Sequence, residues 1–336
     1  MNSSLSHNIE SSINRAIDFL YQNQLPWGEF KTLACWNSFM LGSYFDSSPF
    51  VTSFILYSLK DIEDERIKKM TEKAINFLLN EQEKGGIWRF WTKRNKKRVP
   101  PDLDDISTIS FILRLNKISF DDNLQLILNN RNQDNLFLTF IIGEEGKPSS
   151  SPFAAARINK EENYHFASLI DKFKENIDCV VNANVLLYLG QNDQSVCSFI
   201  NQAIKSNQPC SIYYPNKLAF FYMVSRAFQN NITALGENKD IIINSILSYQ
   251  KEPGVFGSDL DNALALNTLF NFGYPGEETN PGVNYLLKRQ LANGSWRKSF
   301  LFLGPFPWRY YGSEELTTAL VIEAMKKYLH QYGKNL

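Results

Sequence analysis

Apolar residues in this chain follow a helical spacing that recurs as part of a longer repeat. Residues 282–296 hold apolar positions at helical spacing, then Gln290, then a short turn that ends in Gly294, Ser295 and Trp296. The same order of helix, glutamine and Gly-x-aromatic turn recurs in copies that end at Phe30, Trp88 and Phe256. Self-similarity of this kind is typical of repeat architectures.

The spacing of these copies predicts six in all. Gln24 and Gln82 lie 58 residues apart, and the interval from Gln82 to Gln250 holds three steps of similar length. Two degraded copies are therefore expected in between, at 126–137 and 199–213. Asn135 takes the turn position of glycine in the first of them.

A second, more uniformly apolar helix is predicted after each copy. Since a helix that is apolar on all sides is buried, these six form an inner ring and the amphipathic repeat helices an outer one. The prediction is an all-α fold, an (α/α)6 barrel of six hairpins in a single domain over 1–336, with the inner N-termini at one mouth. Trp88 and Trp296 are expected to pack between hairpins. The predicted inner helices are 49–60, 103–116, 177–190, 216–229, 259–272 and 313–329.

Composition fits a globular protein and adds one unusual feature. Apolar residues make up 43% and charged residues 21%, and 35 basic residues balance 35 acidic ones. The zero net charge argues against a nucleic-acid partner. The 25 Phe, 15 Tyr and 6 Trp are an aromatic surplus that fills the core or surrounds an apolar cavity.

The chain start and the cysteines set further expectations. The polar first residues lack a secretory signal, and no apolar run is long enough to cross a bilayer, so a cytoplasmic location is expected. The cysteines show no Cys-x-x-Cys spacing, which predicts buried, reduced thiols and no structural zinc site. They are Cys35, Cys179, Cys197 and Cys210.

Acidic residues collect at the predicted starts of the inner helices. Asp102, Asp104 and Asp105 precede the apolar stretch 106–113, and capping a helix needs only one or two carboxylates. Crowded carboxylates raise one another's pKa, so one of them can stay protonated as a general acid. For the acids at the other helix starts, helix capping is an equally good explanation. These are Asp178, Asp259, Asp261, Glu314 and Glu315.

Aromatic residues precede the same helices. Ring faces stabilise cations without reacting with them, by about 0.5 to 2 kcal/mol each. An acid in a dry aromatic chamber is suited to protonating an alkene. Ordinary core packing is the alternative for each ring. The rings predicted to bind substrate are Trp91, Trp308, Tyr310 and Tyr311, with Asp259, Asp261 and Glu314 beside them.

These motifs resemble those of a known family. Asp102-Leu103-Asp104-Asp105 resembles the Asp-x-Asp-Asp motif of class II terpene cyclases, and the repeat through Gln290 and Trp296 resembles the QW motif of the squalene-hopene cyclase family. The resemblance implies protonation-initiated cyclisation of an isoprenoid, with Asp104 as proton donor and Asp102 and Asp105 tuning it. Two features depart from the family: one barrel where two are common, and Ile106-Ser107 where Thr-Ala often follows the motif.

Three segments bear on the substrate and its access. Residues 143–165 are predicted to be a lid loop, and the apolar segment 300–308 caps the chamber, meets a second subunit in a homodimer or touches a membrane surface. The basic run that includes Lys96 and Arg98 is a solvated loop or a site for a diphosphate head group. A diphosphate site would favour farnesyl or geranylgeranyl diphosphate as the substrate, and Mg²⁺ would accompany such a substrate. The sequence specifies no other cofactor.

Three other functions stay open on the sequence. The acidic mouth could serve glycoside chemistry, in which paired carboxylates flank the scissile bond. A prenyltransferase-like zinc site would have to use Asp178, Cys179 and His165. A barrel that binds an isoprenoid without catalysis is the third alternative, and a filled barrel axis would favour it.

Overall fold

The computed structural model describes residues 3–95, 99–141, 176–276, 279–304 and 309–332. These residues form twelve α-helices, a short 3₁₀-helix at Thr233–Gly236 and a small antiparallel sheet. The predicted lid 143–165 and the predicted site residues Lys96, Arg98 and Trp308 lie outside the described residues.

The helices alternate between two sets along the chain. The amphipathic set is α1 (Ser3–Asn23), α3 (Glu65–Glu81), α5 (Leu124–Asn129), α7 (Gln194–Ser206), α9 (Lys239–Ser248) and α11 (Thr279–Arg289). The apolar set is α2 (Pro49–Leu59), α4 (Leu103–Leu115), α6 (Cys179–Leu189), α8 (Lys217–Gln229), α10 (Asp259–Asn271) and α12 (Glu314–Tyr332).

The apolar helices contact one another in cyclic order, from α2 through α4, α6, α8 and α10 to α12, which packs back on α2. Their burial explains the arrangement, because every residue of α2 and all but Asp261 of α10 are buried. Such helices lose apolar surface to neighbours on all sides. The predicted alternation of an amphipathic and an apolar helix is confirmed at these positions.

The repeat turns hold neighbouring hairpins together. Trp88 and Trp296 are fully buried, and each indole Nε1 donates to the carbonyl ten residues earlier, at 2.8 Å. Gln24 Nε2 donates to the oxygen of Met70 at 2.8 Å, and Gln290 Nε2 donates to the oxygen of Ser12 at 2.9 Å. Gln290 thereby joins the last repeat to α1.

Glycine is required in these turns for steric reasons. Gly28 and Gly294 have φ angles of +98° and +90°, which residues with a side chain rarely adopt. A Cβ at Gly28 would collide with the backbone of Lys73, and one at Gly294 with that of Arg15. Each turn therefore lies directly against the neighbouring repeat helix.

A four-stranded sheet corrects the prediction of a purely helical chain. Its strands are β1 (Leu33–Cys35), β2 (Tyr44–Phe45), β3 (Ser299–Leu303) and β4 (Tyr310–Ser313), in the order β2-β1-β4-β3 with antiparallel pairs. β3 occupies the first part of the segment predicted as an apolar loop. Its Phe and Leu residues favour a strand once β4 supplies the backbone hydrogen bonds.

The cysteines correct a second prediction. Cys179 and Cys210 form a disulfide with their Cα atoms 5.5 Å apart, whereas Cys35 and Cys197 are buried free thiols. The pairing brings the start of α6 against the chain ahead of α8, where Cys179 N also donates to the oxygen of Cys210 at 3.0 Å. No helix in the described part of the chain is long and apolar enough to cross a bilayer.

Candidate active site

The N-terminal ends of three of the six apolar helices border an open cavity. The first turns of α2, α4 and α6, the chain ahead of α8 and the end of β3 supply its walls. Phe50, Phe90, Asp102, Asp104, Asp105, Thr139, Phe140, Val181, Tyr213, Tyr214, Phe302, Leu303 and Gly304 line it.

Asp102 and Asp105 flank the start of α4. Asp102 is the N-cap residue, and its Oδ1 accepts from the backbone N of Asp105 at 2.8 Å. Burial, and then the charge of Asp104, raise the pKa of Asp102 to about 7. Asp105 is buried, and the pKa of its carboxyl is raised well above its usual range by burial and by Asp102. The carboxyls of Asp102 and Asp105 therefore hold their protons more strongly than free aspartates do, and the two titrate as a pair.

Asp104 projects from the first turn of α4 and is held by two donors. Its Oδ1 accepts from Asn184 Nδ2 at 2.5 Å, and its Oδ2 accepts from the hydroxyl of Tyr214 at 2.6 Å. Burial raises the pKa of Asp104, while Tyr214, Asn184 and the charge of Arg226 lower it. The carboxyl thus combines a raised pKa with a fixed orientation.

A buried guanidinium lies behind this pair. Arg226 is fully buried on α8, and its Nη2 donates to Asn184 Oδ1 at 2.6 Å. Its Cζ lies 4.4 Å from the centre of the Phe54 ring and 5.0 Å from that of Tyr57. Neither Arg226 nor these two rings are among the residues that line the cavity.

The aromatic residues predicted for the site lie around the cavity wall. Tyr311 is buried behind Phe302, with stacked rings 5.5 Å apart, and its hydroxyl donates to Asp46 at 2.8 Å. Trp91 Nε1 donates to the same carboxyl at 3.0 Å, and Tyr310 packs edge-on against Phe300. Trp91 and Tyr311 therefore support the lining rings Phe90 and Phe302, and none of the three predicted residues is itself a lining residue.

The remaining predicted acids contact other partners. Asp259 pairs with Arg289 at 2.5 Å. Asp261 forms a capping box with Ser258 at the start of α10. Glu314 is half-buried in the first turn of α12. The structure brings none of the three to the lining of the cavity.

Asn184, Tyr214 and Arg226, which hold Asp104 directly or through Asn184, are not among the residues predicted for the site from the sequence. Each is a polar residue in or before an otherwise apolar helix, and that is the signal from which they could have been found. Asn184 lies 80 residues and Tyr214 lies 110 residues from Asp104 in sequence.

The zinc alternative does not fit the described geometry. Cys179 is in the disulfide, and Asp178 caps α6 by accepting from the backbone of Val180 and Val181. His165 lies outside the described residues. Within the ranges that the structure describes, no group of three or more His, Cys, Asp or Glu side chains could hold a metal ion.

Comparison with solved structures identifies the fold. A protein from Actinoplanes superposes with a TM-score of 0.72 at 16% identity, over 95% of this chain and 99% of that one. The type II terpene cyclase MstE from Scytonema superposes with a TM-score of 0.71 at 14% identity, over 97% and 99%. The chain has the fold of type II terpene cyclases.

Other matches agree with this fold assignment. ent-Copalyl diphosphate synthase from Streptomyces platensis superposes with a TM-score of 0.56 at 14% identity, over 85% of this chain and 50% of that one. MstE is also known in complex with its substrate, geranylgeranyl dihydroxybenzoate, in a form with an aspartate replaced by asparagine. No protein-family model and no curated protein matches the chain by sequence.

Proposed function

We propose that this chain is a class II-type terpene cyclase built on a single (α/α)6 barrel, with Asp104 as the general acid. The observation that carries the proposal is the setting of the Asp104 carboxyl, which lines an aromatic cavity with a raised pKa and both oxygens held by donors. The fold and the cyclic order of the apolar helices support it.

The hydrogen bonds to Asp104 bear on where its proton lies. Asn184 and Tyr214 each donate to one carboxyl oxygen, so each occupies a lone pair. The acidic proton then lies on a lone pair that faces neither donor, where it is available for transfer to an alkene in the cavity. Asp102 and Asp105 lie in the same turn, and the charge of an ionised Asp104 raises the pKa of both, so neither of them ionises readily beside it.

The cavity walls suit the cation that protonation creates. Phe50, Phe90, Phe140 and Phe302 present rings that stabilise a cation by about 0.5 to 2 kcal/mol each and cannot trap it as nucleophiles. Leu303 and Val181 add apolar surface that limits the access of water. Cyclisation would then proceed by alkene attack on the cation and end with loss of a proton.

We propose a linear isoprenoid as the substrate. MstE acts on geranylgeranyl dihydroxybenzoate, which shows that this fold accepts a prenyl chain on an aromatic head group. Within the described lining of the cavity there is no Lys or Arg. A diphosphate head group, with Mg²⁺, would therefore have to be bound by Lys96 and Arg98, and this stays a prediction. The cytoplasmic location and the homodimer also stay predictions.

Incubation with a panel of isoprenoids tests this function. The panel contains farnesyl diphosphate and geranylgeranyl dihydroxybenzoate, together with geranylgeranyl diphosphate supplied with and without Mg²⁺. The products of each incubation are then analysed. A cyclised product that keeps its head group supports the proposal. Absence of a cyclic product from the whole panel, or turnover that survives Asp104→Asn, contradicts it.

The two alternatives fit the cavity less well. Glycoside chemistry needs carboxylates on opposite sides of the scissile bond, and the three lining carboxylates here come from one turn at the start of α4. A binding protein without catalysis would need no raised pKa on a carboxyl that lines the cavity. Product analysis with the intact chain distinguishes these functions.

A further inference from the structure

An exposed apolar hairpin lies between β1 and β2. Trp36 is 65% exposed, Phe39 81% and Leu41 72%, which makes them the three most exposed of the large apolar side chains described. No charged residue occurs from 32 to 45. An exposed apolar cluster of this kind marks an interaction site.

The hairpin is rigidly built. The side chain of Asn37 bonds the backbone of Leu41 twice, with Nδ2 donating to its oxygen at 2.9 Å and Oδ1 accepting from its N at 3.2 Å. Met40 is fully buried between two exposed neighbours, and its φ of 58° turns the chain there. Phe39 and Leu41 are therefore held outward by the turn, and binding would cost little ordering of the chain.

The hairpin leaves the sheet at the end that borders the cavity. Cys35, the last residue of β1, pairs with Tyr310, and Tyr310 pairs with Leu303, the last residue of β3. Leu303 and Gly304 line the cavity that contains Asp104. An apolar molecule that enters from a surface touched by the hairpin would therefore lie close to the cavity.

Two cations contact the hairpin. Lys298 Nζ donates to Ser43 Oγ at 2.8 Å. Arg309 lies over the Trp36 ring and donates from Nε to the hydroxyl of Tyr44 at 3.3 Å. A two-fold contact between copies of this chain through the hairpin would bring these cations toward one another, which is unfavourable. An anionic lipid surface would instead pair with them.

We propose that the hairpin 36–45 docks the protein on an anionic lipid bilayer, with Trp36, Phe39 and Leu41 inserted among the lipids and Lys298 and Arg309 at the head groups. Aromatic side chains favour the membrane interface, and apolar insertion combined with basic charge gives stable but reversible binding. The proposed membrane binding is inferred from the exposed hairpin alone. Only the purpose of that binding, the collection of an apolar substrate from the bilayer, rests on the proposed function.

Vesicle sedimentation tests the surface directly. The protein is mixed with vesicles of phosphatidylcholine alone, or with phosphatidylglycerol added. The wild-type chain is expected to sediment with the anionic vesicles and to be released by salt. The double variant Phe39→Ser/Leu41→Ser should bind the anionic vesicles at least about tenfold more weakly than the wild type, because it loses the inserted apolar area. Leu124→Ser/Ile241→Ser, which changes exposed apolar residues elsewhere, should bind as the wild type does.

A second measurement locates the contact. Lipids with brominated chains quench tryptophan that enters the bilayer, so bound wild-type protein should lose part of its fluorescence. Trp36→Phe should still bind and should lose most of that quenching.

Several outcomes would overturn the proposal. They are a wild-type chain that stays in solution with both kinds of vesicle, a Phe39→Ser/Leu41→Ser variant that binds normally, and a wild-type dimer that this variant dissociates. Asp104→Asn should bind vesicles as the wild type does, so loss of binding is distinguishable from failure of the proposed cyclase.

Discussion

Asn184 donates from Nδ2 to Asp104 Oδ1 across a distance of 2.5 Å, and its own carbonyl oxygen accepts from Arg226. A guanidinium carries only donors, so Arg226 fixes which end of the amide faces it. The Asn184 NH₂ group must then face Asp104. A buried cation is in this way coupled to the acid through one side chain.

Replacement of Asn184 by Leu tests the first half of this coupling. The hydrogen bond from Asn184 lowers the pKa of Asp104, so its loss should raise that pKa and weaken the acid. We expect kcat to fall about 10- to 100-fold, with the alkaline limb of the pH profile moved to higher pH. Asn267→Leu removes a buried amide that donates to Leu320 and should leave the pH profile unmoved. An unchanged profile in Asn184→Leu would contradict the account.

Replacement of Arg226 by Met tests the second half. The charge of Arg226 also lowers the pKa of Asp104, so the alkaline limb should again move upward and kcat should fall. Because Arg226 acts partly through Asn184, the double variant should lose less activity than the two single losses combined. Arg114→Met, which removes a guanidinium stacked on Tyr188, is the matched control. Full additivity would show that the two residues act separately.

Tyr214 should matter through its hydroxyl alone. Tyr214→Phe removes the donor to Asp104 Oδ2 and keeps the ring in the cavity wall. We expect a lower kcat with KM little changed, and a raised pKa of Asp104 in the pH profile. Tyr188→Phe, whose hydroxyl donates to Asn123, should retain full activity. A change in KM without a change in kcat would assign Tyr214 to substrate binding instead.

The acid cluster should make the fold less stable as pH rises. The pKa of Asp102 is about 7 in the folded protein and about 3.9 in an unfolded chain, so the folded state binds more protons between these values. Stability is then greatest at low pH within this window and falls as pH rises through it. Asp102→Asn keeps a good N-cap and should flatten the fall of Tm between about pH 5 and about pH 7. If Tm fell equally steeply with pH in Asp102→Asn, Asp102 would not be the cause of the pH dependence.

Gln290 should contribute more to stability than an ordinary surface glutamine. Gln290→Ala loses hydrogen bonds to Gly294 and to Ser12 and should lower the unfolding free energy by about 1 to 2 kcal/mol. Gln24→Ala, in the equivalent turn, should behave alike, whereas Gln125→Ala should cost little because Gln125 contacts only exposed Asn129. Denaturant unfolding measures all three variants.

The helical part of the fold was predictable because it repeats. Each apolar helix begins within two residues of its predicted start, since burial on all sides leaves a continuous apolar run in the sequence. β1 and β2 were not predictable, because strands of three and two residues are too short to show alternation. Their pairing depends on β4, which lies far along the chain.

The site was predictable only where its residues are neighbours in sequence. Asp102, Asp104 and Asp105 share one helical turn, so their crowding was visible without a structure. Asn184 and Tyr214 reach Asp104 only through the packing of α4 against α6 and the position of the chain ahead of α8. The disulfide partners Cys179 and Cys210 are 31 residues apart, with no local signature to join them.

Turnover in heavy water tests the central claim, that Asp104 donates the proton that starts cyclisation. The carboxyl of Asp104 exchanges its proton with solvent, so the cyclic product should carry a single deuterium at the carbon that was protonated. Asp104→Asn should yield no cyclic product, while Asp259→Asn, which alters an acid paired with Arg289 away from the cavity lining, should yield the labelled product. A cyclic product without deuterium, or labelled product from Asp104→Asn, would contradict the account.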